Sequence, residues 1–263
     1  MAKIIKSILF FIIIGLIGGF FTGQYLLDSY PVEMQQQILD ELNNAVAQLN
    51  IPQLNALQPE IILGIMNGFT SAGYGLVLGS LGIVFAKKVG LWKDEAQGSK
   101  RAVFFTIAIS VVGGLALILP DMLYFGKYSE EIMASYASKP TLTYILASIT
   151  YGAVVEEVMM RLFVMSLLAF IFHKIFGKGK ERPSVAIFVL ANILSSLLFA
   201  AGHLPATFLL LGDSPMIIAR CFLLNGGVGL LFGWLYRKYG LRYAMLAHGG
   251  CHIISKLIWI LFI

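Results

Sequence analysis

The sequence predicts an all-α membrane protein, a polytopic bundle of about seven transmembrane helices, with eight as the alternative. Of its 263 residues, 58% are hydrophobic and only 13% are charged, and the mean hydropathy is +0.83. Crossing the hydrocarbon core takes about 20 mainly apolar residues, and stretches of this length follow one another along the chain. No run of short alternating segments indicates a membrane β-barrel, so helices must satisfy the backbone hydrogen bonds. This composition excludes a soluble globular protein.

Seven apolar stretches are predicted to cross the membrane, at residues 4–27, 60–86, 102–124, 141–172, 184–211, 216–236 and 241–263. The eight-span alternative arises because Gly202 and Pro205 interrupt the fifth stretch. Basic residues concentrate in alternate loops, which predicts a cytoplasmic N-terminus, in the plasma or cytoplasmic membrane if the source is prokaryotic. The net charge of +5 therefore reflects topology, and no continuous basic face indicates a nucleic-acid partner.

We expect one membrane-embedded unit with two parts. Residues 1–140 supply N-terminal transmembrane helices, and residues 141–263 form the core that carries the polar motifs. Near residues 32–50, Leu42 and Val46 recur with other apolar residues at helical spacing, which predicts an amphipathic helix on the outside. We expect this helix to pack against the bundle rather than to gate a substrate. The oligomeric state is left open.

Three ionisable residues lie near the middle of the predicted fourth span. Insertion scales assign roughly 2.5–3.5 kcal/mol to each central acidic or basic residue, so Glu156, Glu157 and Arg161 require pairing, water or a function. Glu157 and Arg161 are four residues apart and can neutralise each other. Glu156 lies about 100° around the helix and has no such local partner. A structural ion pair thus explains two of the three residues, and the cluster favours a functional site.

Imidazoles occur in two later spans. His203 comes where the fifth span is expected to break, and by itself it fits a structural histidine as well as a functional one. His248 and His252 are four residues apart on one helical face, with a polar seam between helices as the alternative. Arg220 and Lys256 lie near span ends, where we expect their side chains to extend to the membrane interface.

Two carboxylates and three histidines suffice for peptide hydrolysis by activated water. A desolvated glutamate suits a general base, and imidazoles can orient the water or donate to the carbonyl oxygen. The same groups could instead hold a divalent metal such as zinc, with Glu156, His203, His248 and His252 as candidate ligands, so the cofactor is either a metal or none. A proton-coupled membrane transporter is the second interpretation, because buried Glu and His chains also form proton relays. A noncatalytic immunity or scaffold protein is the third.

The ordered motifs Glu156-Glu157-x-x-x-Arg161, Phe199-x-x-x-His203 and His248-x-x-x-His252 resemble the three signatures of the CAAX protease and bacteriocin-processing (CPBP, or Abi) family. The resemblance covers roughly residues 141–260. It implies an intramembrane endopeptidase related to the type II CAAX prenyl proteases. Its partners would be membrane lipid and a peptide or lipidated protein substrate, prenylated or bacteriocin-like. It also implies that Glu156 and His203 activate water, that Glu157 and Arg161 support the site, and that His248 stabilises the oxyanion.

One residue departs from the family pattern, because His252 stands where the third motif commonly has Asn or Asp. The family has been described both as metalloproteases and as metal-independent glutamate proteases, so the resemblance leaves the cofactor open. Straight helices would place Glu156 in mid-membrane, His203 toward the outside and His248 toward the inside. Their convergence therefore requires tilted or broken helices, which Gly202/Pro205 and Gly249/Gly250 favour.

Overall fold

The computed structural model describes residues 1–49, 57–93, 99–177 and 179–263, and all regular structure in these residues is helical. The N-terminal part comprises α1 (Ala2–Ser29), α2 (Val32–Leu49), α3 (Pro59–Val89), α4 (Lys100–Ala116), α5 (Leu119–Leu123) and α6 (Glu130–Ser135). The core comprises α7 (Leu142–Ala147), two π-helical stretches (Ser148–Glu156 and Val158–Met165), α8 (Ser166–Phe176), α9 (Val185–Gly202), α10 (Leu204–Leu211), α11 (Pro215–Cys221), a third π-helical stretch (Phe222–Gly227), α12 (Val228–Tyr239) and α13 (Leu241–Phe262). The predicted all-α class is confirmed.

Six helical segments of the described chain are long and apolar enough to cross a membrane: Ala2–Ser29, Pro59–Val89, Lys100–Lys127, Val185–Leu211, Pro215–Tyr239 and Leu241–Phe262. They match six of the seven predicted spans. The remaining prediction, 141–172, corresponds to helical backbone that continues from Leu142 to Phe176 but carries the three ionisable residues. By length and composition six of the seven predicted spans are therefore confirmed, and the crossing of residues 141–172 stays a prediction.

Helices α1 and α3 pack with their backbones in contact. Glycines spaced four residues apart on both helices predict this arrangement, because a missing side chain lets two backbones approach. A Cβ atom on Gly15 would lie 2.7 Å from the carbonyl oxygen of Ser71, and one on Gly75 would lie 2.6 Å from that of Phe11. Any larger residue at either position would force the two helices apart.

The amphipathic segment predicted near residues 32–50 is helical as α2, and residue 50 lies outside the described residues. Leu42 and Val46 are buried and pack against Ile62 and Leu63 of α3. The predicted packing of α2 against the bundle is thus confirmed. The position of α2 on the outer side of the membrane stays a prediction.

A buried ion pair joins α5 to α11. Asp121 is fully buried and accepts two hydrogen bonds from Arg220, from Nε to Oδ1 at 2.6 Å and from Nη2 to Oδ2 at 2.5 Å. The Tyr136 hydroxyl donates to Oδ2 at 2.9 Å, and burial next to this carboxylate raises the pKa of the phenol. The pair forms because an unpaired carboxylate at Asp121 would cost more than ordering the arginine. The expected position of the Arg220 side chain at the membrane interface stays a prediction.

The segment with the three ionisable residues lies at the centre of the bundle. Its π-helical stretches contact α1 and α3 on one side and α9, α12 and α13 on the other. Buried apolar residues surround it, including Leu162 and Met165 of the segment itself and Phe232 of α12. The predicted site residues therefore face neighbouring helices rather than lipid.

Candidate active site

The helix that carries the acidic motif is wound more widely than a regular α-helix. Two π-helical stretches, Ser148–Glu156 and Val158–Met165, leave only Glu157 between them. Backbone hydrogen bonds in a π-helix connect residues five apart, and such stretches occur frequently at functional sites. The directions of the side chains in this motif therefore depart from those expected for a uniform α-helix.

Glu157 and Arg161 form the predicted ion pair. Both side chains are fully buried, and Arg161 Nε lies 3.5 Å from Glu157 Oε2. Arg161 Nη1 donates to Ser195 Oγ at 3.0 Å, and the guanidinium lies 5.3 Å from the centre of the Phe199 ring. Gly229 makes room for it, because a Cβ there would lie 2.9 Å from Arg161 Nη2. The pair is nevertheless incompletely bonded, since Glu157 Oε2, Arg161 Nε and Arg161 Nη2 have no hydrogen bond to any described residue.

His248 lies between the two glutamates of the motif. Its Nδ1 is 3.1 Å from Glu157 Oε1, and its Nε2 is 3.9 Å from Glu156 Oε2. The ring stacks on Phe232 with 4.5 Å between centroids, which holds its plane. The imidazole is almost fully buried, whereas the Glu156 side chain keeps 20% of its surface exposed. His248 thus connects a buried carboxylate to a more accessible one.

His252 stacks on His248, as their spacing of four residues predicts, with 4.9 Å between ring centroids. Its Nε2 edge faces Gly152 in the first π-helical stretch. A Cβ on Gly152 would lie 3.1 Å from His252 Nε2 and 3.9 Å from Glu156 Oε2. The missing side chain therefore leaves a small space that the imidazole and the carboxylate both border.

His203 occupies the break between α9 and α10, as the positions of Gly202 and Pro205 predict. Its Nδ1 lies 2.8 Å from the carbonyl oxygen of Phe199. A carbonyl can only accept, so Nδ1 carries the hydrogen and the neutral ring presents Nε2 as an acceptor. The Phe199 ring packs between His203 and His248, at 4.7 Å and 6.0 Å from their centroids.

The six predicted residues do not all touch. Among the described residues, His203 makes no hydrogen bond or ion pair with Glu156. Of the tilted and broken helices that Gly249 and Gly250 favoured, the broken form is absent, because α13 runs unbroken from Leu241 to Phe262. These glycines instead allow close packing, since a Cβ on Gly249 would lie 3.3 Å from the Ala153 Cβ.

Lys256 is a further polar neighbour whose position sequence reasoning missed. We expected it at the interface, but it is 4% exposed, and its Nζ lies 3.5 Å from His252 Nδ1 and 4.1 Å from the centre of the Tyr144 ring. Its spacing of four residues from His252 on α13 could have signalled this contact. The prediction for Lys256 was wrong, because its side chain is buried against the Tyr144 ring and His252.

No three His, Cys, Asp or Glu side chains of the described chain converge into a set that could hold a metal ion. The four candidate ligands Glu156, His203, His248 and His252 thus do not form a ready coordination shell in this arrangement. The use of a metal stays a prediction.

Residues 138–254 match the family model of the type II CAAX prenyl endopeptidases, described as Rce1-like. This part of the chain is therefore similar to the CAAX proteases. The matched range contains all six predicted site residues together with Gly152, and Lys256 lies beyond its end. Comparison with curated proteins and with solved structures found no match. Together with the six apolar helices, this similarity supports an integral membrane protein of the CAAX-type intramembrane protease class.

Proposed function

We propose that this protein is a CAAX-type endopeptidase that hydrolyses a peptide bond of a membrane-associated protein or peptide, prenylated or bacteriocin-like, with Glu156 as the general base. The observation that supports this proposal best is the position of His248, whose two nitrogens face the two glutamates at 3.1 Å and 3.9 Å. One carboxylate thus orients the imidazole, and the other retains the exposure that a water molecule needs.

In the first step, the Glu156 carboxylate accepts a proton from a water molecule while the water oxygen attacks the carbonyl carbon of the peptide. Positioned general bases contribute about 10²- to 10⁴-fold to such reactions. His203 presents an unprotonated Nε2, which suits it to accept a hydrogen bond from the same water. The product of this step is a tetrahedral intermediate with a negative oxygen.

In the second step, the C–N bond breaks and the leaving amine takes the proton held by Glu156. His248 assists when it is doubly protonated, because its Nε2–H can then donate to the negative oxygen. Glu157 and Arg161 are supporting residues in this scheme: Glu157 accepts from His248 Nδ1, and Arg161 balances the charge of Glu157. The buried pair thereby keeps the imidazolium next to the reacting atoms.

Purified protein in lipid nanodiscs should cleave a farnesylated peptide, and Glu156→Ala should remove at least about 99% of that activity. Glu181→Ala is the matched control, because Glu181 is an exposed carboxylate outside the bundle. Equal cleavage by Glu156→Ala would refute the assigned base. Substrate-dependent proton flux into liposomes without cleavage would favour the transporter instead, and unchanged biological protection by a Glu156→Ala/His203→Ala variant would favour the noncatalytic immunity protein.

We also propose the glutamate-type mechanism rather than a zinc-dependent one. The described side chains supply Glu156 with an imidazole neighbour but no three-ligand set. Activity should therefore persist after treatment with a chelator, and elemental analysis of active protein should find less than one metal ion per chain. Loss of cleavage on chelation with recovery on adding zinc would overturn this choice.

The remaining proposals concern topology and organisation. We propose a cytoplasmic N-terminus, and a division into N-terminal helices (1–140) and a catalytic core (141–263), because the basic loops and the matched family range favour them. Labelling of single cysteines introduced at exposed Lys6 and at exposed Asp213 with a membrane-impermeant reagent tests the topology. The inside and outside positions should label from opposite sides.

A further inference from the structure

The buried ammonium group of Lys256 has no role in the mechanism above. Its side chain is 4% exposed, and no carboxylate among the described residues forms an ion pair with it. Its Nζ faces the Tyr144 ring at 4.1 Å and His252 Nδ1 at 3.5 Å. A cation inside a membrane protein is costly, and such residues mark functional sites by default.

The contact with His252 constrains which ring nitrogen carries the hydrogen. In its protonated form, the Lys256 amino group has three donors and no acceptor. An Nδ1–H directed at it would bring two positive ends together, whereas an Nδ1 lone pair directed at it is attracted. The hydrogen of the neutral His252 ring therefore belongs on Nε2, the nitrogen on the opposite edge.

That opposite edge borders the space left by Gly152. The Cβ position of Gly152 is 3.1 Å from His252 Nε2 and 3.9 Å from Glu156 Oε2. The His252 ring has little freedom to turn, because it stacks on His248 with 4.9 Å between centroids and its Nδ1 lies 3.5 Å from Lys256 Nζ. An Nε2–H at this place would point at a peptide carbonyl positioned for attack by the water on Glu156.

We propose that Lys256 is a positioning residue that holds His252 in the Nε2–H tautomer, and that His252 then donates a hydrogen bond to the carbonyl oxygen of the substrate. This role rests on the proposed peptidase function, and it assigns a neutral donor in addition to the protonated His248. Lys256 does not touch the substrate. Lys256 acts through the His252 ring, which does touch the substrate.

The tautomer can be measured without any activity. Nitrogen-15 NMR of histidine-labelled protein in nanodiscs distinguishes protonated from bare ring nitrogens, and His252→Asn identifies the His252 signals by removing them. The wild type should show Nε2–H at His252, Lys256→Met should shift the ring toward Nδ1–H, and Lys256→Arg should retain the wild-type pattern, because a guanidinium is also a pure donor. An Nδ1–H ring in the wild type, or no change in Lys256→Met, would overturn the proposal.

The kinetic test separates positioning from general structural support. Lys256→Met should lower kcat about tenfold with His252 present, as expected for a weakened oxyanion donor. In a His252→Asn background the same substitution should change kcat less than about twofold, because an amide NH₂ is a donor without a tautomer to choose. An equal loss in both backgrounds would make Lys256 merely structural. Wild-type protein without any cleavage would refute the peptidase function instead, and the NMR result would still decide the role of Lys256.

Discussion

Two buried ionic clusters in this protein differ in how completely their charges are satisfied. At the α5–α11 contact, Asp121 accepts two hydrogen bonds from Arg220 and one from Tyr136. In the π-helical segment, Glu157 and Arg161 pair at 3.5 Å, but three of their polar atoms have no hydrogen bond to a described residue. The first cluster contains one charge of each sign. The second gathers further ionisable groups around it: Glu156, His248, His252 and Lys256.

The difference separates a structural ion pair from a site. A fully bonded pair such as Asp121–Arg220 joins helices, and nothing in it is left to react. The second cluster retains polar groups beyond those that neutralise each other, and one of them, Glu156, is partly exposed. Unsatisfied buried groups are costly in a membrane, so they persist where their chemistry is used.

The largest effect is expected for Glu157→Gln, because Glu157 belongs to both the fold and the site. Its loss leaves Arg161 as an uncompensated buried charge, which should lower the free energy of unfolding by about 3 kcal/mol. Cleavage by the remaining folded protein should fall about 100-fold, since the His248 imidazolium loses a carboxylate partner. Thermal unfolding in detergent and single-turnover cleavage measure the two effects. Glu156→Gln is the control that should lose activity alone, and full activity in folded Glu157→Gln would contradict the supporting role.

Asp121→Asn should affect stability without affecting chemistry. Arg220 would keep a hydrogen-bonding partner but lose the opposite charge, which should lower the free energy of unfolding by about 3 kcal/mol while kcat of the folded protein stays unchanged. The double variant Asp121→Leu/Arg220→Met removes both charges and should recover part of this loss. A fall in kcat for folded Asp121→Asn would show that the two clusters are coupled, against the distinction drawn above.

Gly152→Ala should produce the smallest effect and test the space beside Glu156. The added methyl would lie 3.1 Å from His252 Nε2 and occupy the position proposed for the reacting carbonyl. We expect kcat to fall about tenfold, equivalent to about 1.4 kcal/mol, with little change in thermal stability. Gly73→Ala is the matched control, because a Cβ there meets nothing within 4 Å. Identical kinetics for both variants would place the reaction elsewhere.

Local spacing predicted the contacts made within one helix. The Glu157–Arg161 pair and the His248–His252 stack both join residues four apart, and both are present. The helix break at His203 also follows from its neighbours in the chain. Such contacts depend on backbone geometry over a single turn, which the residue order specifies.

Contacts between helices were predicted less well. Arg220 pairs with a carboxylate 99 residues away, and Lys256 lies inside the bundle rather than at its edge. A long side chain near the end of a span can extend to water or fold inward, and the choice depends on which helix faces it. Nothing in the local sequence around either residue contains that information.

By itself, the sequence determined that the protein is helical and membrane-embedded. It also identified the side chains that are too polar to lie inside a membrane without a function. Composition decides the first point, because a bilayer admits few backbone structures, and the free energy of burying charge decides the second. Only the tertiary structure decided which imidazole meets which carboxylate. That pairing depends on π-helical winding, on the break at His203 and on the glycines that let α13 approach, and tilt and rotation of helices are set by packing against their neighbours.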